Sequence, residues 1–353
     1  MLHYVSTSGW GVALAHHAQA MGVKATLHCP ELPCGRGLVR KVATPTPPSK
    51  TRAVIMDGLG NGDLAERLAV EGKRVLFGGK FAELMAVSDY HTQFCAKAGL
   101  EIEADTDGAV SPYLLAVGAW HEEGLGAPYF AAVLNQHLWT GDLGPTAGIT
   151  GVSLKAVAED YPAIETYVRP AEEALSSVGY RGTVVALLSR QGNDLRFKGL
   201  AVGLQPMITS ALSEILYGGI ESLLIEGSAS PSRDYALSVL TTLYPWPTAV
   251  PANEDYRYQL APDQGKHFWP MDAVADKGQI RYAGQLGILG ISSARGRPYG
   301  DTSESGTEPM GLEQARGRAY RTVRNLFAPP VQYRTDIGED GAGILRWLDH
   351  WAK

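Results

Sequence analysis

Leu2-His3-Tyr4-Val5-Ser6-Thr7-Ser8-Gly9-Trp10-Gly11 begins the chain, and these residues decide the fold class. Leu2 to Ser6 reads as a short strand and Thr7 to Gly11 as a glycine turn. Val12 to Met21 then reads as a helix, leading to a second strand over Val23 to His28. Strand, turn, helix and strand in that order open a parallel sheet, because a crossover helix lets the next strand run in the same direction. The pattern repeats in strand Ala53 to Met56, the exit Asp57-Gly58-Leu59-Gly60-Asn61-Gly62, helix Gly62 to Glu71 and strand Arg74 to Phe77. Gly78-Gly79 then turns into a helix near Phe81 to Ala98. Residues 1–102 are expected to be a Rossmann-like domain of an α/β protein.

Open sheets of this kind bind ligands at the carboxyl ends of their strands. Gly9, Gly11, Gly58, Gly60, Gly78 and Gly79 lie there and are candidate ligand-binding positions. Backbone N–H groups at such turns, helped by the helix N-terminus that follows, can hold a phosphate. A purely structural turn is the plainer reading. Gly9-Trp10-Gly11 lacks the third glycine of the dinucleotide fingerprint and no acidic residue closes the second strand, so a NAD site is not expected.

At 353 residues the chain exceeds what one core usually organises, so two or three domains are expected. A net charge of −6 without a basic block excludes a chain-wide nucleic-acid footprint. The local exception is Arg295, Arg297, Arg316, Arg318, Arg321 and Arg324, with the solvated face as the bland alternative. Arg295 and Arg297, with the polar segment Tyr299 to Pro309, are candidate anion contacts. Cys29, Cys34 and Cys95 supply neither a disulfide framework nor a zinc set and read as ordinary thiols. No signal peptide shows, and no run approaches the ~20 apolar residues of a membrane span. A cytoplasmic protein without membrane partners is expected.

The middle third carries an apolar stretch (Tyr113 to Ala119), a hairpin over Ala127 to Trp139 and a glycine-rich loop from Gly141 to Gly148. A helix over Ser153 to Val178 is expected next, broken near a proline. Gly182 to Arg190 and Leu195 to Val202 read as a hairpin turning at Gln191 to Asp194, followed by helix Pro206 to Leu216. In the last third, Asp234 to Leu243 reads as a short helix, Gly278 to Tyr282 and Leu286 to Ser293 as strands, and Leu312 to Leu326 as an amphipathic helix. His16 and His17 read as packing residues, and His121-Glu122-Glu123 cannot converge on one metal because adjacent side chains diverge.

Three segments together resemble the glycinamide ribonucleotide synthetase (phosphoribosylamine–glycine ligase) family. Asp142-Leu143-Gly144-Pro145-Thr146-Ala147-Gly148-Ile149-Thr150-Gly151 is similar to that family's Asp-x-Gly-Pro loop, and Tyr333-Arg334-Thr335-Asp336-Ile337-Gly338 to its closing signature. Phe77-Gly78-Gly79-Lys80, continuing to Ala98-Gly99-Leu100, is similar to its strand, turn and helix. Gln205-Pro206-Met207-Ile208 and the helix Glu313 to Leu326 add weaker likeness. The resemblance implies an ATP-grasp architecture: the Rossmann-like domain, a reduced ATP-grasp-like domain over 103–228, and a β-rich C-terminal α+β domain over 229–353. It makes Asp142 the candidate catalytic residue and Gly144, Thr146 and Gly148 candidate ligand contacts. For Asp142 a turn or cap is the alternative, and Asp336 is expected to cap the final helix.

The same resemblance shows what is missing. ATP-grasp chemistry needs cations on the triphosphate, carboxylate-held magnesium and a lid against water. No lysine or arginine occurs between Glu101 and Asp142, where the family carries its lid subdomain, so the lid is expected to be deleted. Arg196-Phe197-Lys198 stands where the family's metal-binding Glu-Phe-Asn run falls, which makes Arg196 and Lys198 candidate anion contacts. ATP and magnesium are therefore not carried over as cofactors.

Three functions stay open. The first is a transferase joining an amine or amino acid to a phosphate-activated nucleotide or modified nucleic-acid base without ATP. The others are a true ATP-dependent ligase and a non-catalytic relative that binds a ligand or protein. The expected partner is a phosphorylated small molecule or nucleotide, with modified DNA as a variant. The shortened form resembles family versions associated with bacterial viruses.

Overall fold

The structure is a computed structural model. It describes residues 1–351 except 31, 59, 104–110, 249–255, 261–263, 277–278, 285–286, 297–308 and 327–330. The first unit runs β1 (Leu2–Ser6), α1 (Gly9–Ala20), β2 (Ala25–His28), β3 (Ala53–Asp57), α2 (Gly62–Val70) and β4 (Val75–Leu76). Its strands form a parallel sheet in the order β2-β1-β3-β4, as a Rossmann-like unit requires. The expected helix near Phe81 to Ala98 is two, α3 (Lys80–Leu84) and α4 (Ser88–Lys97).

The second part begins with β5 (Tyr113–His121), β6 (Leu125–Trp139) and β7 (Leu143–Val157). Short helices α5 (Pro162–Tyr167) and α6 (Glu172–Ser177) follow, then β8 (Gly182–Gln191), β9 (Asp194–Val202), α7 (Pro206–Ile215) and α8 (Gly219–Glu226). The remainder is β10 (Tyr235–Leu243), β11 (Arg257–Tyr258), β12 (Phe268–Pro270), β13 (Ala273–Asp276), β14 (Gln279–Tyr282), β15 (Ile288–Arg295), α9 (Pro309–Arg324), β16 (Val331–Gln332) and α10 (Gly341–His350). Among the described residues, one sheet runs β12-β15-β10-β7-β6-β5-β8-β9, with β16 beside β10. It crosses residue 228 without a break, because β7 and β10 are hydrogen-bonded neighbours. A small sheet, β11-β14-β13, stands apart from it.

Four expectations are corrected here. Ser153 to Val157 belongs to strand β7, and helix begins only at Pro162. The expected helix over Asp234 to Leu243 is strand β10, beginning at Tyr235. The inner part of β7, from Thr150 to Val157, and β10 are covered on both faces, by α7 on one side and α9 or α10 on the other, so they lack the polar alternation that marks a half-buried strand. The supposed loop 141–148 is the outer end of the β6–β7 ribbon, where His137 opposes Thr146 and Trp139 opposes Leu143. Ala127 to Trp139 lies within the single strand β6 and holds no hairpin of its own.

The main core lies on the two faces of the large sheet. On one, Ala132, Leu134, Val152, Leu154 and Ala236 meet α7, α8 and the first unit; on the other, Val133, Leu237, Val239 and Ala294 meet α9 and α10. Trp10 from α1 stacks on Trp269 from β12 at 5.5 Å, and His17 lies flat on the same indole at 3.8 Å. His17 also meets Glu221 through Nδ1 at 2.7 Å, so one ring face and one ring nitrogen are taken up inside the fold. His121 is likewise structural, bonded through its ring nitrogens to the Tyr180 carbonyl and the Ser176 hydroxyl. Cys29, Cys34 and Cys95 are buried free thiols. Among the described residues no helix is long and apolar enough to cross a membrane.

Candidate functional site

The glycine turns form where the sequence places them, and the chain's own carboxylates take up their donors. Ser8 caps α1 by accepting from the Trp10 N–H at 3.1 Å. The Asp57 carboxylate reaches the same helix end: it accepts from the Ser6 and Ser8 hydroxyls, each at 2.5 Å, and from the Gly11 backbone. A carboxylate there complements the helix dipole as a phosphate would. Burial nevertheless pushes the Asp57 carboxyl up, against those hydrogen bonds. At the second turn Glu83 accepts from the Gly60 and Gly62 N–H groups at 2.9 and 2.7 Å.

Close packing explains several glycines. A methyl group at Gly9 would overlap the Asp272 carboxylate, one at Gly11 the Ser6 side chain, and one at Gly58 the Thr7 hydroxyl. Gly78 packs on Met56 and Ala65, while Gly79 faces open space at the mouth of a 430 Å³ cavity. Two of the four cations lining that cavity are paired. Arg74 grips Glu122 at 2.5 and 2.6 Å, and Lys80 meets Asp63 and Glu66 at 3.2 and 3.1 Å.

Asp142 and the Tyr333 to Gly338 segment do meet, 192 residues apart in sequence. Asp142 sits at the β6–β7 turn with φ 54°, a left-handed conformation that aspartate tolerates better than most residues. Its carboxylate accepts from Arg334 at 2.8 Å, and the same guanidinium binds Asp336 at 2.9 and 2.6 Å. Asp336 also accepts from the Gly141 N–H at 2.8 Å. Burial opposes the charge on Arg334, but the two carboxylates outweigh it and its pKa is raised; Asp336 is held below the usual carboxylate range. Asp336 therefore clasps the ribbon, and Asp340 rather than Asp336 stands at the N-cap of α10. Gly144, Thr146 and Gly148 lie exposed along the ribbon beyond this clasp.

Arg196 and Lys198 lie on the edge strand β9. Arg196 pairs with Glu103 at 2.5 Å, and Lys198 donates to the Glu103 carbonyl at 2.7 Å.

The arginines of the last third behave differently. Arg295 at the end of β15, Arg318 and Arg321 one turn apart on α9, and Arg233 before β10 line one 340 Å³ pocket with Gln264 and His267. Arg318 is oriented by donating to the Arg295 carbonyl at 2.8 Å, and Arg233 by donating to the Ser232 carbonyl at 3.0 Å. Among the described residues, these four guanidiniums form no ion pair with a carboxylate. The nearby carboxylate, buried Glu214, accepts from His267 at 2.7 Å and from the Ser293 hydroxyl at 2.9 Å, and Ser293 in turn accepts from the Trp269 indole. The hydrogen bond to Glu214 raises the His267 pKa, against burial and the charges of Arg295 and Arg318. Arg316, two residues from Arg318, turns away to Glu339 and the carbonyls of Thr335 and Ile337. Arg297 and most of the Tyr299 to Pro309 segment lie outside the described residues.

Sequence reasoning found Arg295 and noted the α9 arginines, but missed Arg233, Glu214 and His267. Their convergence depends on pairing across sheet and helices, which no local spacing reveals. The available hint was the three-residue step from Arg318 to Arg321, which puts both on one side of a helix.

No family model matches the chain, and no curated protein matches it. Solved structures do. Phosphoribosylamine–glycine ligase from Thermotoga maritima superposes with a TM-score of 0.69 at 15% identity, covering 95% of this chain and 99% of the ligase. Pyruvate carboxylase from Rhizobium etli gives a TM-score of 0.59 at 11% identity, covering 94% of this chain and 36% of the carboxylase. A parallel four-stranded unit, a large antiparallel sheet and this likeness together give the chain the fold of phosphoribosylamine–glycine ligase, the fold its sequence segments imply.

Proposed function

We propose that the protein is a transferase that forms a C–N bond between an amine or amino acid and a phosphate-activated small molecule, nucleotide or modified nucleic-acid base. The arginine pocket carries this reading. Arg233, Arg295, Arg318 and Arg321 gather charge that the described carboxylates leave unpaired, and guanidinium groups match phosphate oxygens in charge and fork geometry. In the reaction the amine nitrogen attacks the carbon bearing the phosphate. The C–O bond breaks as the C–N bond forms, the phosphate leaves onto the arginines, and the amine proton passes to solvent. Arg196 and Lys198, standing where the resemblance implies metal-binding side chains, support a route without magnesium nucleotide.

A thermal-shift screen tests this, with phosphoribosyl compounds, diphosphate-bearing nucleotides, nucleic acids, glycine, and ATP with magnesium, each repeated on Arg295→Ala. Hits are then mixed with amines and searched for coupled product by mass spectrometry. Stabilisation by a phosphorylated ligand, lost in the variant and followed by coupling without ATP, is the expected result. Stabilisation by ATP with magnesium in both proteins would instead favour an ATP-dependent ligase. Binding without coupling across the amine set would favour a non-catalytic relative.

A further inference from the structure

We infer that the arginine pocket takes a diphosphate group, and that His267 makes its affinity depend on pH. The inference rests on the proposed function's reading of this pocket as the anion site, and adds the ligand class and the titrating residue. Four guanidiniums reach the pocket from three separate elements: the 231–233 turn, β15 and α9. Two linked phosphates offer these four guanidiniums more oxygens than a single phosphate does, and about one more negative charge. The 340 Å³ volume lies at the lower end of the ~300–1,000 Å³ typical of small-ligand sites, which suits a compact anion held by its charged end. It is a concave cluster rather than a basic stripe, so a nucleic-acid backbone is the poorer fit.

His267 completes the site. Its Nδ1 is held by Glu214, itself fixed by Ser293, which leaves Nε2 as the ring atom available to a ligand. The charged and polar groups around the imidazole are Glu214 from α7, Arg295 from β15, Arg318 and Arg321 from α9, and Arg233 and Gln264 from the turns. Glu214 wins over burial and the arginines in setting the ring's proton affinity, so the imidazolium persists to higher pH than in a free histidine. A protonated ring adds a fifth cation, and its loss as pH rises weakens anion binding.

Calorimetry with inorganic pyrophosphate and orthophosphate at fixed ionic strength tests both parts. Arg295, Arg318 and Arg321 are exposed, so their replacement leaves the core intact. Pyrophosphate should bind at least about tenfold tighter than orthophosphate, and Arg295→Ala or Arg321→Ala should each weaken it about tenfold or more. Because pyrophosphate itself loses protons with rising pH, wild type and His267→Gln are compared at each pH. The variant should bind about tenfold more weakly at pH 6 and within about twofold of wild type at pH 9. Equal affinity for the two anions overturns the diphosphate assignment while leaving the anion site standing. A pH-independent ratio between wild type and His267→Gln overturns the role of His267. Absence of binding by either anion, with Arg295→Ala inert in the ligand screen as well, removes the site and the proposed function with it.

Discussion

Asp272 offers the sharpest test of the packing between the first unit and the segment beyond β12. Its carboxyl is wedged against Gly9 and Gly284, where any methyl group would overlap it. Desolvation raises its pKa from an ordinary 3.8 to about 6, against the lowering effect of its own backbone N–H. The sign follows from proton linkage: the folded state holds this proton more tightly than the unfolded chain. The associated stability is present below the unfolded pKa and disappears as pH rises through about 6. At about 1.4 kcal/mol per pKa unit, the ionised carboxylate costs on the order of 3 kcal/mol above that pH. Asp272→Asn keeps the shape and removes the ionisation. The variant should match wild type in urea unfolding at pH 4 and exceed it by up to roughly 3 kcal/mol at pH 8. Tryptophan fluorescence reports the transition at both pH values. Equal destabilisation of the variant at the two pH values would refute the reasoning, because the carboxylate would then be making a favourable contact that burial alone does not describe.

Arg334→Ala should lower stability by about 3–5 kcal/mol in urea unfolding, since it strands Asp142 and Asp336 beside each other; a loss below about 1 kcal/mol would show that the clasp is dispensable. Gly11→Ala should cost about 1–3 kcal/mol, read from the same unfolding midpoint, because its methyl group would meet the Ser6 side chain. Arg196→Ala should change stability by less than about 1 kcal/mol, since its pair with Glu103 is about a third exposed on both sides. It should also leave pyrophosphate affinity unchanged in calorimetry, and a severalfold loss would bring β9 into the anion site.

The first unit was legible because a strand, a glycine turn and a helix are local events, written at Leu2 to Ala20 in contiguous residues. The β8–β9 hairpin was legible for the same reason, with Gly192 turning between two strand patterns. Strands β7 and β10 were not, because both faces of each are buried and Val152, Leu154 or Leu237 look alike in a buried helix or a central strand. Gly144, Thr146 and Gly148 read as ligand contacts because their segment is similar to the family's Asp-x-Gly-Pro loop. Whether its donors face a ligand or a partner strand depends on β6, which local sequence does not show. Of the site, the α9 arginines were visible while Glu214 and His267 were not. A buried glutamate inside an apolar helix announces a partner but does not name it.

The pairing of β7 with β10 has a consequence for anyone who would divide this molecule. Severing the backbone in the exposed turn near Ser228 would leave each piece with a long bare strand margin, rich in apolar side chains and unmet amide groups. Produced alone, either piece should clump; produced together, each supplies the template its counterpart lacks. The two should reassemble by zipping along that seam, which makes the position suitable for a fragment-complementation reporter.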